Sequence, residues 1–204
     1  LSRYDRPERF ERRLDEIELK NVQTIGYGIK SFTLSMIEAA IELTNGKVTG
    51  SEILEILTLG KQMLIAEVEL FEHTTETLVK LSTDHDLMLI TKGDLFEQGM
   101  KVEESGLAKH FRYVEIVGEK TAAVYRAILE RYKINAERFL MVGNSMKSDI
   151  LPVLRIGGRA VYIPYEHTWI HEKMIDGEVD NNGYFELDNL RELPALVKKL
   201  SLEQ

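Results

Sequence analysis

With 204 residues, 44% hydrophobic and 29% charged, the chain can bury one substantial core or a core plus a smaller one. Its formal net charge of -8 argues against broad binding to nucleic acid or to an anionic membrane, both of which call for a basic surface. There is no cysteine, so disulfides and thiolate metal sites are excluded; no apolar run reaches membrane-span length and the first residues are charged, so a cytoplasmic protein is expected.

Residues 7–70 read as helical throughout. Pro7 suits a first helical turn, and Phe10, Leu14 and Ile17 recur at helical spacing. Tyr27-Gly28 interrupts the pattern. Phe32, Met36, Ala40 and Leu43 mark a second helix that ends near Asn45-Gly46. Thr49 or Ser51 is placed to cap a third helix, with Ile53, Ile56, Leu57 and Leu64 on one face. No strand pattern intervenes, so this stretch is expected to form a small helical bundle.

From about residue 73 the pattern changes. The apolar runs 87–90, 113–117, 139–142 and 160–163 alternate with amphipathic segments, among them a helix over 119–132 with Tyr125, Ile128, Leu129 and Tyr132 on one face. Almost wholly apolar strands separated by helices imply a parallel sheet covered on both faces, an α/β class. The spacing predicts two domains, 1–72 and 73–204. The polar stretch from Asp176 to Asn189 reads as a surface loop before a final helix.

Three strand ends carry polar residues, and in open α/β sheets ligands bind just beyond the carboxyl ends of the strands. The first is Ile90-Thr91-Lys92-Gly93-Asp94, where a hydroxyl and neighbouring N–H groups suit a phosphate oxygen, although a strand-end Thr beside a turn glycine is the plainer account. At the second, Gly118-Glu119-Lys120, the lysine is expected in the first turn of the 119–132 helix, where the helix dipole opposes it unless an anion lies nearby. Such lysines are also common on solvated surfaces. The third is Gly143-Asn144-Ser145-Met146-Lys147-Ser148-Asp149, which delivers a carboxylate to a helix start, a place the dipole also favours for an acid.

Taken in this order, Thr91, Lys120 and the Gly143–Asp149 loop resemble the second, third and fourth motifs of the haloacid dehalogenase (HAD) superfamily, over roughly residues 73–165. The helical segment before them resembles the cap of the phosphoglycolate phosphatase-like branch. The resemblance implies a three-layer Rossmann-like core with a parallel sheet and an all-helical cap. It also implies a Mg²⁺-dependent phosphatase acting on a small phosphorylated metabolite through an aspartyl-phosphate. By position, Thr91 would bond the transferring phosphoryl group, Lys120 would neutralise charge, and Asp149 would hold Mg²⁺ with Asn144 beside it. Lys92 and Gly93 would join Thr91 in binding substrate. Tyr27 and Lys30, between two cap helices, are further candidates for substrate contact, although a plain helix–helix turn explains that segment's glycines.

Two departures keep other readings open. The family's fourth motif usually begins Gly-Asp, whereas here it is Gly143-Asn144; asparagine brings an oxygen but no charge, as in the metal-independent dehalogenases. The first motif, a strand ending in Asp-x-Asp, should precede the cap, yet Asp5, Glu8 and Glu11 follow no apolar run. The first core strand and its nucleophile are therefore expected upstream of residue 1. A metal-independent haloacid dehalogenase-like hydrolase and a non-catalytic relative that binds a phospho-ligand or a protein are the alternatives. Among the histidines, at 73, 85, 110, 167 and 171, only His167 and His171 share helical spacing, around Trp169, and they read as solvated. The apolar cap faces suit packing within one chain or between two, which leaves monomer and homodimer both open.

Overall fold

The computed structural model describes residues 6–166, 168, 172 and 183–202. Within them the chain divides into two compact units. One comprises the described residues up to Glu69 together with Ile90–Ala108 and Val114–Gly118; the other comprises Leu70–Leu89, Lys109–Tyr113 and the described residues from Glu119 onward.

The first unit is built on α1 (Pro7–Ile25), α2 (Ile29–Leu43) and α3 (Gly50–Leu64). Pro7 occupies the first turn of α1, where its missing N–H costs nothing. Ile17 and Asn21, one turn apart, are buried, and the Asn21 amide donates to Ser35 Oγ and Glu38 Oε2, both at 3.0 Å. The side of α2 that carries Ser35 also buries Ser31 and Ala39, all small residues. Asn45 and Gly46, with φ of 51° and 75°, end α2 in the left-handed region. Thr49 then starts α3 with a capping box, its hydroxyl accepting from the Glu52 N–H while Glu52 accepts from the Thr49 N–H. The buried stripe of α3 runs through Ile56 and Gly60, while Leu57 is 38% exposed, contrary to its expected place on that face. The reason is steric: a β-carbon at Gly60 would lie 2.3 Å from Thr33 Oγ1, so the helices meet where α3 has no side chain.

Two strands follow, β1 (Met88–Lys92) and β2 (Tyr113–Val117), which neighbour each other in a two-stranded sheet, with α5 (Leu95–Glu104) between them in sequence. The Gly93 N–H donates to Val117 O at 3.0 Å and extends that ladder by one bond.

The second unit contains α4 (Thr74–Leu81), α6 (Ala122–Tyr132), α7 (Leu151–Leu154) and α8 (Leu193–Leu202) around β3 (Leu140–Gly143), β4 (Arg159–Tyr162) and β5 (Phe185–Glu186). The three strands are parallel in the order β3-β4-β5, with Met141 opposite Ala160 and Val161 opposite Phe185. One face packs Val161 with Leu81 and Leu193; the other packs Ala160 with Met146 and Ile150. Layers on both faces explain why these strands are almost wholly apolar. The fold is mixed α/β with parallel strands, as expected, although the described ladders fall in two sheets rather than one.

Candidate functional site

In the second unit the chain leaves β3 at Gly143, and Ser145 N-caps a wide helical turn, Met146–Ile150, that runs into α7. The Asp149 N–H and the Ile150 N–H both donate to Ser145 O, at 2.8 and 3.1 Å, which widens the turn by one residue. This swings the Asp149 carboxylate back over the strand end, where only 4% of the residue stays exposed. A β-carbon on Gly143 would lie 2.3 Å from Asp149 Oδ2, so this glycine is required for close approach.

Lys120 meets this carboxylate. Its Nζ lies 2.7 Å from Asp149 Oδ1, and the two side chains are 12% and 5% exposed. The other oxygen, Oδ2, accepts the Ser145 N–H at 3.0 Å. The expectation that Lys120 stands in the first turn of α6 is corrected: α6 begins at Ala122, and Thr121 is its N-cap, accepting from the Val124 N–H. A threonine hydroxyl is a better cap than either neighbour offers, so the helix starts two residues beyond the lysine. From there the ammonium reaches Asp149.

A second carboxylate supports the same loop, and the sequence reading missed it. Glu172 Oε2 accepts the Ser145 and Ser148 hydroxyls, each at 2.5 Å, and Glu172 is 8% exposed. The Ser148 N–H in turn donates to Ser145 Oγ at 2.9 Å. The available clue was the serine pair itself, since hydroxyls at helical spacing on a buried face must find acceptors. Beneath them the fully buried Tyr125 donates its hydroxyl to Ser148 O at 3.0 Å. Burial, reinforced by the negative charges of Asp149 and Glu172, pushes this phenol well above its ordinary pKa. The exposed Asn144 donates its amide to Thr168 Oγ1 at 2.7 Å.

The remaining candidates gather in the first unit. Thr91, half-buried in β1, donates its hydroxyl to Gln98 Oε1 at 2.7 Å. Gly93 follows at a φ of 151°. The Lys92 ammonium lies 4.1 Å from the centre of the Tyr27 ring, and Lys30 Nζ lies 2.8 Å from Asp94 Oδ2. Lys30 holds the Asp94 carboxyl below the usual range, with N–H donation from Glu97 and Phe96 adding to the effect. The buried Glu97 also escaped the sequence reading; its carboxylate accepts the Ile29 and Lys30 N–H groups at 2.8 and 3.1 Å. Gly28 precedes them because a β-carbon there would lie 2.7 Å from Glu97 Oε2. The start of α2 is thus occupied by the chain's own carboxylate.

For Mg²⁺ the donors are of the right kind. Asp149 and Asn144 offer hard oxygens from one loop, and each Asp149 oxygen accepts one described hydrogen bond, which leaves lone pairs for an ion. They form a partial set: among the described residues, no three His, Cys, Asp or Glu side chains gather as a metal-binding group. His167, His171, Trp169 and Asp5 lie outside the described residues. No helix among the described residues is long and apolar enough to cross a membrane.

No protein-family model and no curated protein matches the chain. Among solved structures, a haloacid dehalogenase-like family hydrolase from Xanthomonas campestris is 38% identical over 93% of this chain and 76% of its own, with a TM-score of 0.84. A putative HAD-hydrolase from Bacillus subtilis, bound to magnesium, is 14% identical over 96% of this chain and 86% of its own, with a TM-score of 0.66. A predicted phosphoglycolate phosphatase from Haemophilus somnus is 15% identical over 92% and 88%, with a TM-score of 0.61. These last two share the fold, as do 2-haloacid dehalogenases. At 38% identity over three quarters of the Xanthomonas protein, with the Lys120–Asp149 pair beside the end of β3, this chain belongs to the haloacid dehalogenase-like hydrolase family.

Proposed function

We propose that the protein is a phosphohydrolase that acts on a small phosphorylated metabolite with Mg²⁺ as cofactor. The observation that carries this reading is the Lys120–Asp149 pair, an ammonium and a carboxylate 2.7 Å apart and almost wholly buried. Phosphoryl transfer depends mainly on charge neutralisation and on in-line positioning of the groups that react. Lys120 is suited to offset negative charge on a phosphoryl group, and Asp149 with Asn144 would hold Mg²⁺. The ion, when bound, supplies positive charge to the phosphoryl oxygens. Thr91 is assigned a hydrogen bond to the transferring group, which its hydroxyl can offer by turning away from Gln98. Lys92, Gly93, Tyr27 and Lys30 are assigned to substrate binding. In the same proposal residues 1–72 serve as the cap and 73–204 as the core, and the nucleophilic aspartate comes from a segment preceding residue 1.

One observation favours a second reading, a metal-independent dehalogenase. Asn144 contributes no charge and its amide is engaged by Thr168, so Lys120 matches Asp149 charge for charge without a metal. The deciding experiment uses the full-length protein with p-nitrophenyl phosphate and, separately, 2-chloropropionate, each with Mg²⁺ and with EDTA. Phosphate release that EDTA abolishes and Mg²⁺ restores is expected. Halide release indifferent to EDTA would replace the phosphatase with the dehalogenase. Turnover of neither compound would count against both readings and favour a relative that binds a phospho-ligand or a protein.

A further inference from the structure

We propose that Glu172 is a positioning residue for the Asp149 loop, an inference that rests on the phosphohydrolase reading and names a determinant of the same site. Ser145 joins the two carboxylates. Its N–H orients Asp149 Oδ2, its hydroxyl donates to Glu172 Oε2, and its Oγ accepts the Ser148 N–H. Any shift of Glu172 therefore shifts the group that aims Asp149. Ser148 ties the far end of the turn to the same carboxylate oxygen. Both serines are buried, at 6% and 5% exposure, so without the Glu172 side chain each would lose a charged acceptor, and Ser145 Oγ would keep the longer 3.4 Å bond to the Glu172 main-chain oxygen.

A carboxylate is an expensive way merely to fill space, because burying one is unfavourable unless strong donors surround it. Two short charge-assisted bonds supply that compensation and fix the loop more tightly than neutral partners would. Glu172 also does not act alone. Four residues earlier in the same post-β4 segment, Thr168 accepts from the Asn144 amide. Both residues assigned to the metal are thus tied to described residues that follow β4, Asn144 to Thr168 and Asp149, through Ser145, to Glu172. Groups behind a ligand that set its orientation are a common means of tuning such sites.

The test compares the full-length protein with Glu172→Gln, which keeps a side-chain acceptor oxygen, and Glu172→Ala, which keeps only the main-chain one. Turnover of p-nitrophenyl phosphate and backbone amide hydrogen exchange are measured on each. Glu172→Ala is expected to lower kcat roughly 10–100-fold with KM little changed, and Glu172→Gln to recover most of the loss. Exchange at the Ser145 and Ser148 amides should rise about tenfold or more in the alanine variant, while the Val142 and Val161 amides in the strands stay as they were. Unchanged kcat and unchanged exchange in Glu172→Ala would overturn the proposal. So would a loss shared equally by Gln and Ala with faster exchange throughout the second unit, which marks a merely structural role. If the unaltered protein turns over no phosphomonoester, the functional reading fails, and exchange at Ser145 and Ser148 still decides whether Glu172 holds the loop.

Discussion

Replacing Lys120 with methionine is the sharpest physical test of the buried pair. Methionine keeps the length and much of the apolar stem but removes the charge. At 2.7 Å, and with an effective dielectric of about 20, the attraction between Nζ and Oδ1 is about 6 kcal/mol. Much of this is offset by the cost of taking both ions out of water, so the pair as a whole contributes far less than that. Removing one partner is different, because Asp149 keeps its desolvation cost and loses its compensation. Such one-sided deletions cost about 3–5 kcal/mol. For a chain of this size, each kcal/mol corresponds to roughly 2–4 °C in melting temperature, so Lys120→Met should melt about 6–20 °C lower. Thermal melts of the unaltered protein, Lys120→Met, Asp149→Asn and the double variant complete the cycle. The double variant should recover about 1–3 kcal/mol relative to the sum of the singles. A Lys120→Met protein that melts with the unaltered one, or strictly additive singles, would refute the reasoning.

Two further predictions concern one group in each unit. Glu97→Ala should destabilise the first unit by about 1–3 kcal/mol, because the Ile29 and Lys30 N–H groups lose their acceptor. Faster hydrogen exchange at those two amides is the measurement. Tyr125 sets a pH dependence: its pKa is raised by folding, so the unfolded chain gives up the proton first. Its contribution should be constant below about pH 10 and then fall by up to about 1.4 kcal/mol per pH unit. Tyr125→Phe, which loses the bond to Ser148 O, should start about 1 kcal/mol less stable and lack that alkaline decline, as read from urea unfolding at pH 8 to 11.

What could be read from the sequence was local. Asn45-Gly46 announces the end of α2 and Thr49 with Glu52 the start of α3, because each is fixed by bonds within a few residues. The apolar strands were legible for the same reason, although β1 and β3 each run beyond the expected end, to Lys92 and Gly143. The apolar pattern puts Lys120 inside its helix, whereas the Thr121 hydroxyl, which a hydrophobic pattern does not register, caps the helix just after it. The α3 face was misread at Leu57 because a glycine, silent in any hydrophobic pattern, supplies the contact. Glu97 and Glu172 were invisible. Their partners lie 68 and 27 residues away, and nothing in a charged residue's immediate neighbours reports that it will be buried on a distant backbone or hydroxyl.

The Gly143–Asp149 loop is a single device rather than a glycine followed by an acid. The missing β-carbon, the widened turn and the Ser145 N–H all serve one end, which is to hold a carboxylate over the strand against Lys120. That arrangement is equally useful to a phosphatase and to a dehalogenase, since both need a fixed charge partner for the lysine. Asp149 carries the phosphatase reading through Lys120 but does not by itself exclude the metal-independent one. The discrimination falls on position 144, where the neutral amide is tethered to Thr168 at the exposed edge of the loop. If Asn144 serves Mg²⁺ it must do so through its carbonyl oxygen, with the deficit of charge made good by another acid and by the substrate's own phosphate. Asn144→Asp should then strengthen Mg²⁺ activation, read as a lower Mg²⁺ concentration at half-maximal turnover of p-nitrophenyl phosphate. A variant whose turnover is slower and no more responsive to Mg²⁺ would place the ion elsewhere and shift the balance to the metal-independent reading.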